Sequence, residues 1–293
     1  MRAFEVFSAK DSRDAVALLA KHSISSKVKV IAGGTDLLAD LKFSAHSPNV
    51  VVDISRAEDL KSILVTDDGL RIGALVTHSQ IMRSLVIQEM FPALVDAAHT
   101  IGAVQTRNLG TLGGNLVTAV PSMDSGPTLM ALEAIISIQG PDGRREVPLT
   151  DFFLGPRKTV LKADELLAEI VIPKQNLGKP THFLKFGLRK GQALALVNSA
   201  ASFWVDWEKH TFVATRIGLG AVAPKVIRAT QAETFLEGRK ITPEVMAEAG
   251  LIAANDAKPI TDFRASAGYR KNLVAVLTKR ALEGAYALAQ AKR

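Results

Sequence analysis

The sequence predicts an α+β protein of two domains, and three observations support this prediction. The chain has 293 residues, of which 47% are hydrophobic, so it is long enough to bury two cores. A polar segment that contains Gly and Pro, residues 175–180, is the best candidate for a linker. Beyond it, three strand-like runs precede three helical segments, an order that is typical of an α+β domain. We therefore expect one domain over residues 1–175 and a second over residues 176–293.

The start of the first domain is predicted to be a small βαβ-like unit. Asp11 is a good N-cap for a first helix. The apolar run Lys27–Ile31 predicts a short strand, which ends at the glycine turn Ala32–Gly34. A short helix over Leu37–Phe43 and another strand over Val50–Ile54 are expected to follow.

The rest of the first domain is predicted to consist of shorter elements. The turn-forming segment Asp67–Gly69 lies between two apolar runs and predicts a hairpin. Two helices are expected near Ser79–Val86 and Phe91–Ala98, before a glycine-dense segment over Ile101–Asn115. Leu166–Ile172 is predicted to be the strand that closes this domain.

The second domain is predicted to contain three strands and then three helices. The predicted strands are His182–Leu188, Ala195–Val205 and Phe212–Leu219, and the predicted helices lie around Ala232–Leu236, Pro243–Ala254 and Tyr269–Ala291.

The absence of cysteine limits the chemistry that the chain can carry by itself. It excludes disulfides, thiolate metal sites, cysteine nucleophiles and cysteine-ligated iron–sulfur clusters. The six histidines are scattered and no His-Glu-x-x-His motif occurs, so we predict no metal site on this chain. No catalytic side chain is predicted either. Any redox chemistry must therefore come from a bound organic cofactor.

The charge pattern argues against nucleic acid and membranes as partners. The formal net charge is +7, but no basic run exceeds two residues and only 5% of the residues are aromatic. No apolar stretch approaches the roughly 20 residues that a membrane-spanning helix needs. The acidic residues Glu5 and Asp11 interrupt the start of the chain where a secretory signal would be apolar. We therefore expect a cytoplasmic protein without a membrane span.

The first informative site is the glycine turn after Ile31. Gly33 and Gly34 leave backbone N–H groups unshielded by Cβ atoms and can adopt positive φ. Thr35 and Asp36 follow at the predicted helix N-terminus, where exposed amides favour an anion. A phosphate is the expected guest. The alternative is a plain tight turn, which is the commoner meaning of an isolated Gly-Gly.

A second glycine pair favours the phosphate interpretation. Gly113 and Gly114 lie between Thr111 and Asn115, whose side chains can bond phosphate oxygens. Two such turns can hold the two phosphates of a dinucleotide from both sides, and Asp124 is a candidate acceptor for ribose hydroxyls. The usual nucleotide fingerprints are absent, because there is no Gly-x-Gly-x-x-Gly between a strand and a helix and no Gly-Lys-Ser/Thr.

Two segments carry a resemblance to a known family. Ala32–Leu37 and Gln105–Asn115 are similar to the two FAD-pyrophosphate motifs of the FAD-binding (medium) subunit of molybdenum hydroxylases. That family includes carbon monoxide dehydrogenase, N-heterocycle and aryl-coenzyme A dehydrogenases, and the FAD domain of xanthine dehydrogenase. The resemblance covers nearly the whole chain, because Ser266–Leu282 is also similar to the family's C-terminal helix.

The resemblance implies the fold and the cofactor site. The implied fold is an FAD-binding domain of the PCMH (vanillyl-alcohol-oxidase-like) type with two subdomains, about 1–54 and 55–175, followed by an α+β domain with a three-stranded antiparallel sheet. The first glycine turn would wrap the FAD pyrophosphate, the second would oppose it, Asp124 would meet the ribose and Lys185 would lie on the flavin side. The implied FAD-binding residues are Lys29, Val30, Ile31, Ala32, Gly33, Gly34, Thr35, Asp36, Ile101, Thr111, Gly113, Gly114, Asn115, Asp124, Leu167 and Lys185. His78 and His99 are close in sequence to these segments.

The resemblance also implies a function within a larger oxidoreductase. In this family, a large partner subunit binds the molybdenum cofactor and a small partner holds two 2Fe–2S clusters. Electrons pass from molybdenum through the clusters to FAD on the medium subunit, and then to NAD, a quinone, oxygen or another external acceptor. The implied assembly is a dimer of heterotrimers. Three alternatives remain open at this point: a free-standing flavin oxidase, a nucleotide-binding module without redox function, and an assembly subunit that has lost FAD.

Overall fold

A computed structural model of the chain describes residues 3–43, 47–189 and 191–293. The first elements of the chain form a parallel three-stranded sheet. The strands are ordered β1-β3-β2, and both outer strands run parallel to the central one. The sheet carries α1 and a short α2 in its connections, so the predicted βαβ-like unit is present. Its elements are β1 (Glu5–Ser8), α1 (Ser12–Ser23), β2 (Val28–Ile31), α2 (Leu37–Lys42), β3 (Val50–Asp53) and a 3₁₀ turn (Glu58–Leu60).

A five-stranded antiparallel sheet with the order β4-β5-β10-β6-β7 forms the second layer of the first domain. Six helices are inserted between its second and third strands in sequence, and this insertion carries the second glycine pair. The elements are β4 (Ile63–Thr66), β5 (Gly69–Gly73), α3 (His78–Arg83), α4 (Leu85–Met90), α5 (Pro92–His99), α6 (Val104–Leu109), α7 (Leu112–Thr118), α8 (Ser125–Ala131), β6 (Ile135–Gly140), β7 (Gly143–Pro148), α9 (Leu149–Phe152), β8 (Phe153–Gly155), β9 (Lys158–Thr159), β10 (Leu166–Pro173) and a 3₁₀ turn (Lys174–Asn176).

The last part of the chain is an antiparallel sheet covered by helices, as the sequence predicts. Its strand order is β11-β12-β13-β14. Three of these strands are the long ones expected from the sequence, and the fourth adds only two residues to the edge. The elements are β11 (Thr181–Gly187), β12 (Ala195–Asp206), β13 (Thr211–Gly220), β14 (Ile227–Arg228), α10 (Thr230–Leu236), α11 (Pro243–Asp256) and α12 (Ala267–Ala291).

The helix α8 belongs to the first domain and packs against the sheet of the second. All seven of its residues are buried. The backbone oxygen of Pro127 lies only 2.1 Å from the point where a Cβ on Gly218 would sit, so β13 approaches α8 as closely as a glycine allows. The hydroxyl of Ser202 on β12 donates a 2.7 Å hydrogen bond to the carbonyl of Ala131. Residues just before α8 are therefore held within reach of side chains from the C-terminal sheet.

The structure corrects four details of the sequence prediction. The strand β1 is missed by the sequence, because three of its four residues are exposed and show no alternation. The single helix predicted over Ser79–Val86 is broken at Ser84, whose hydroxyl caps α4 by accepting from the N–H of Ile87 at 3.4 Å. The predicted three-stranded C-terminal sheet has β14 as a fourth strand. The glycine-dense segment 101–115 contains helices where turns are expected.

Candidate cofactor-binding cleft

A cleft of about 910 Å³ lies where the first sheet, the inserted helices and the C-terminal domain meet. Its volume is at the upper end of the range for cofactor pockets, roughly 300–1,000 Å³. The first sheet contributes β2 and the glycine turn, and the insertion contributes α7 and the residues before α8. The loop between β11 and β12 contributes residues 192–194. A ligand in this cleft would therefore contact both domains.

Most of the residues singled out from the sequence line this one cleft. They are Lys29, Val30, Ala32, Gly33, Gly34, Thr35, Asp36, Ile101, Thr111, Gly113, Gly114, Asn115, Asp124 and Leu167. Two others lie just behind its wall. The Cδ1 atom of Ile31 is 3.2 Å from the point where a Cβ on Gly34 would sit, so Ile31 supports the turn from below. Lys185 reaches the cleft through its contact with Asp124.

The two glycine segments touch each other through their backbones. The carbonyl oxygen of Leu109 lies 1.7 Å from the position that a Cβ on Gly33 would occupy, and the nitrogen of Gly110 lies 3.2 Å from it. No side chain could be accommodated at this contact. The first glycine is therefore required because two main-chain segments are packed directly against each other.

The first glycine turn offers unpaired backbone donors. The N–H groups of Gly33, Gly34, Thr35 and Asp36 have no hydrogen-bond partner within the described residues. Gly34 has a φ of +73°, in the left-handed region that favours glycine. Consecutive unpaired amides in such a turn form a concave site for an anion.

The second glycine pair has a different role from the one expected, because its amides already have partners. Gly113 N–H donates to the carbonyl of Ala74 at 3.0 Å, and Gly114 N–H donates to the Thr111 hydroxyl at 3.0 Å. Both glycines lie in the first turn of α7, which Thr111 caps. A Cβ on Gly113 would lie 2.7 Å from the Ala74 oxygen, so a glycine is required here for close packing, and its amide is not free to donate to a ligand.

Side chains are what this second segment can offer to a ligand. The Thr111 hydroxyl accepts from Gly114, and its own hydrogen remains free to donate. The Oδ1 atom of Asn115 accepts from the Ser125 hydroxyl at 2.6 Å, which fixes the amide so that its Nδ2 donor is available. The cleft therefore places main-chain donors on one side and side-chain donors on the other.

A buried ion pair lies at the wall of the cleft. The Nζ atom of Lys185 lies 2.5 Å from Oδ2 of Asp124, and the two side chains are only 9% and 7% exposed. Oδ1 of Asp124 also accepts from Nδ2 of Asn198 at 2.9 Å. Burial raises the pKa of Asp124 above its ordinary value, whereas Lys185 and Asn198 both favour the carboxylate. Asp124 and Lys185, which the sequence places on different parts of the cofactor, are thus direct neighbours.

The charges around the cleft favour an anionic ligand. Three carboxylates of its wall are paired with cations: Asp40 with Arg157 at 3.0 Å, Glu165 with Arg145 at 2.7 Å, and Asp124 with Lys185. Three exposed lysines, Lys29, Lys158 and Lys162, also line it. Asp36 also lines the cleft without a salt bridge in the described part of the chain, so the unpaired side chains named here are three lysines and one aspartate, a balance that suits a diphosphate.

Other kinds of site are not found in the described part of the chain. No group of three or more His, Asp or Glu side chains there is arranged to hold a metal ion. No helix among the described residues is long and apolar enough to cross a membrane.

Family models match the chain on both sides of the predicted linker. A model described as "FAD binding domain in molybdopterin dehydrogenase" matches residues 2–175, and one described as "CO dehydrogenase flavoprotein C-terminal domain" matches residues 182–285. The chain belongs to this flavoprotein family. The resemblance noted from the two glycine motifs is thereby confirmed, as are the FAD-binding domain and the assignment to oxidoreductases.

Similar proteins support the family at the level of sequence and structure. The medium chain of carbon monoxide dehydrogenase from Hydrogenophaga pseudoflava is 31% identical over 97% of each chain. The xanthine dehydrogenase FAD-binding subunit of Escherichia coli O157:H7 is 32% identical over 95% of this chain and 94% of the relative. A solved structure of the Hydrogenophaga enzyme, described as lacking the Mo-pyranopterin moiety of its molybdenum cofactor, superposes with a TM-score of 0.92 at 33% identity over 98% of each chain. The two-domain α+β fold is confirmed by this match.

Two residues in or beside the cleft could not be found from sequence. Arg157 lies at the turn between β8 and β9 with a φ of +57°, and it reaches across to Asp40 on α2. Asn198 sits within β12 and is fully buried beside Asp124. Neither residue belongs to a recognisable motif, because each is placed by tertiary packing. His99 does not line the cleft, whereas His78 does.

Proposed function

We propose that this chain is the FAD-binding electron-transfer subunit of a heterotrimeric molybdenum hydroxylase or dehydrogenase. The observation that carries the proposal is the row of unpaired amides at Gly33–Asp36, directly beside the capped start of α7. A diphosphate needs several donors converging from two sides, and this cleft supplies them. The residues present therefore fit the pyrophosphate of FAD.

The chain's own residues would bind and orient the cofactor. The Gly33–Asp36 amides would hold one face of the diphosphate, with the Thr111 hydroxyl and the Asn115 amide on the other. Leu167 would pack on the cofactor, and the Asp124–Lys185 pair would fix its flavin-proximal end. Bound FAD supplies the redox chemistry, while the protein supplies position and electrostatics.

The partners and the acceptor belong to the same proposal. We propose a large molybdenum-cofactor subunit, a small iron–sulfur subunit with two 2Fe–2S clusters, and a dimer of heterotrimers. Electrons would enter from the clusters and leave to an external acceptor. Relatives named for carbon monoxide and for xanthine are equally similar to this chain. This supports the idea that the substrate is selected on another subunit. A cytoplasmic location and the domain division at residue 175 stay predictions of the sequence.

Purification of the native complex from its source tests this proposal. We expect the chain to co-purify with two partners, one larger and one smaller than itself. The complex should contain FAD, molybdenum and iron. Reduction of the complex by its substrate should bleach the flavin absorbance. A chain that purifies without partners and turns over a small substrate alone would favour a free-standing oxidase. A chain that releases no FAD on denaturation would refute the flavoprotein assignment.

A further inference from the structure

One buried histidine at the junction of the two glycine segments has no assigned role. His78 is the first residue of α3, is only 2% exposed and lines the cleft. Its backbone N–H donates to the carbonyl of Gly110 at 3.1 Å, so the residue is fixed to the second segment. Its Cδ2 atom and the Thr35 hydroxyl lie 3.4 and 3.5 Å from the point where a Cβ on Gly110 would sit. The imidazole is thus beside both segments.

The imidazole of His78 lacks hydrogen bonds within the described residues. Its Nδ1 atom is buried without a partner, whereas its Nε2 atom, which also makes no hydrogen bond with the described residues, is not fully buried. A buried polar group without a partner costs about 1–3 kcal/mol, so the chain gives this ring no stabilising hydrogen bond of its own and leaves Nε2 as the nitrogen that a ligand in the cleft can reach. Burial and the nearby guanidinium of Arg107 lower the pKa of His78 to about 4, so the ring is neutral at physiological pH. A neutral ring donates from one nitrogen only.

We propose that His78 is a third ligand of the cofactor diphosphate, donating a hydrogen bond from Nε2–H to a phosphate oxygen. The inference rests on the proposed function, because it requires that FAD bind in this cleft. The Cδ2 atom, which is bonded to Nε2, lies beside Gly110, where the two glycine segments meet. The Nδ1 lone pair then remains buried, and the arrangement adds a neutral donor between the amides of the first turn and the hydroxyl of Thr111.

Three substitutions at this position distinguish the proposed donor from a structural role. His78→Gln places an amide donor near the position of Nε2, His78→Asn places one near Nδ1, and His78→Phe keeps the ring shape without a donor. His22→Phe is the matched control, because His22 also has a buried ring nitrogen without a partner but does not line the cleft. The full-length chain of each variant is freed of flavin, its thermal unfolding is recorded, and FAD is titrated while flavin fluorescence is followed.

We expect His78→Phe and His78→Asn to weaken FAD binding by about tenfold or more, as expected for the loss of a hydrogen bond to a charged group. His78→Gln should retain most of the affinity, and His22→Phe should bind like the wild type. In the wild type, ¹⁵N NMR of the FAD-bound chain should show the Nε2–H tautomer. Equal affinities for Gln, Asn and Phe variants, in a chain whose wild type binds FAD, would overturn the role of His78. A wild type that binds no FAD would instead refute the proposed function itself.

Discussion

Replacement of Gly33 by alanine is the sharpest test of the way this cleft is built. The new Cβ would lie 1.7 Å from the carbonyl oxygen of Leu109, and real Cβ atoms essentially never come closer than 3.0 Å to such an atom. The clash is with backbone, so no side-chain rotation can relieve it. The turn or the end of α6 must therefore move by more than 1 Å. Overpacking of this kind costs about 1–3 kcal/mol of unfolding free energy.

Gly268→Ala is the control for this experiment. Gly268 lies in the first turn of α12, and nothing is within 4 Å of the position of its Cβ. Alanine there should be neutral or should stabilise the helix by up to about 1 kcal/mol. Thermal unfolding and FAD titration of both variants are the assays. We expect Gly33→Ala to unfold at a lower temperature and to lose FAD affinity, because the amides of residues 33–36 are displaced. A Gly33→Ala chain that melts and binds FAD like Gly268→Ala would refute the direct backbone contact.

Three further predictions concern neighbouring parts of the cleft. Gly114→Val should abolish flavin retention, because its Cβ would lie 2.8 Å from the capping hydroxyl of Thr111; the flavin absorbance of the purified chain measures this, and a normally yellow variant would contradict it. Lys185→Met should destabilise the chain by about 3 kcal/mol, because it leaves Asp124 buried without its cation. Burial raises the pKa of Asp124, so this loss of unfolding free energy should grow as the pH rises above the ordinary pKa of aspartate. The double variant that also carries Asp124→Asn should show no such pH dependence in thermal unfolding. Burial lowers the pKa of His78 to about 4, so the folded chain favours the neutral ring. The unfolding free energy should therefore be unaffected by this group above pH 6.5 and should fall by about 3 kcal/mol in total as the pH falls toward 4. His78→Gln should flatten that part of the stability profile, and an unchanged profile would contradict the buried neutral ring.

The sequence predicted the fold well where local patterns are strong. The long strands β11, β12 and β13 and the helix α12 were found because their apolar runs are long. The exposed strand β1 was missed, since its position depends on pairing with β3 and not on its own pattern. The break between α3 and α4 was missed because a serine within an apolar run gives only a weak signal.

The candidate site was predicted more accurately in its residues than in their roles. The glycine pairs identified the two segments that meet at the cleft. The sequence could not reveal that Gly113 is needed for packing against Ala74, because Ala74 follows β5 and is distant from Gly113 in the sequence. It also could not show that Lys185 from the second domain is bonded to Asp124 from the first. Such pairs depend on how α8 holds the domains together.

The main-chain contact between Gly33 and Leu109 limits how this flavoprotein can be re-engineered. Where pocket walls are made of side chains, their spacing can be tuned by exchanging residues, but here the spacing is set by the direct packing of two main-chain segments. Analogues that lengthen the link between the two phosphorus atoms should therefore be rejected whatever side chains surround them. Analogues altered at the ring ends should be the ones that mutagenesis can accommodate.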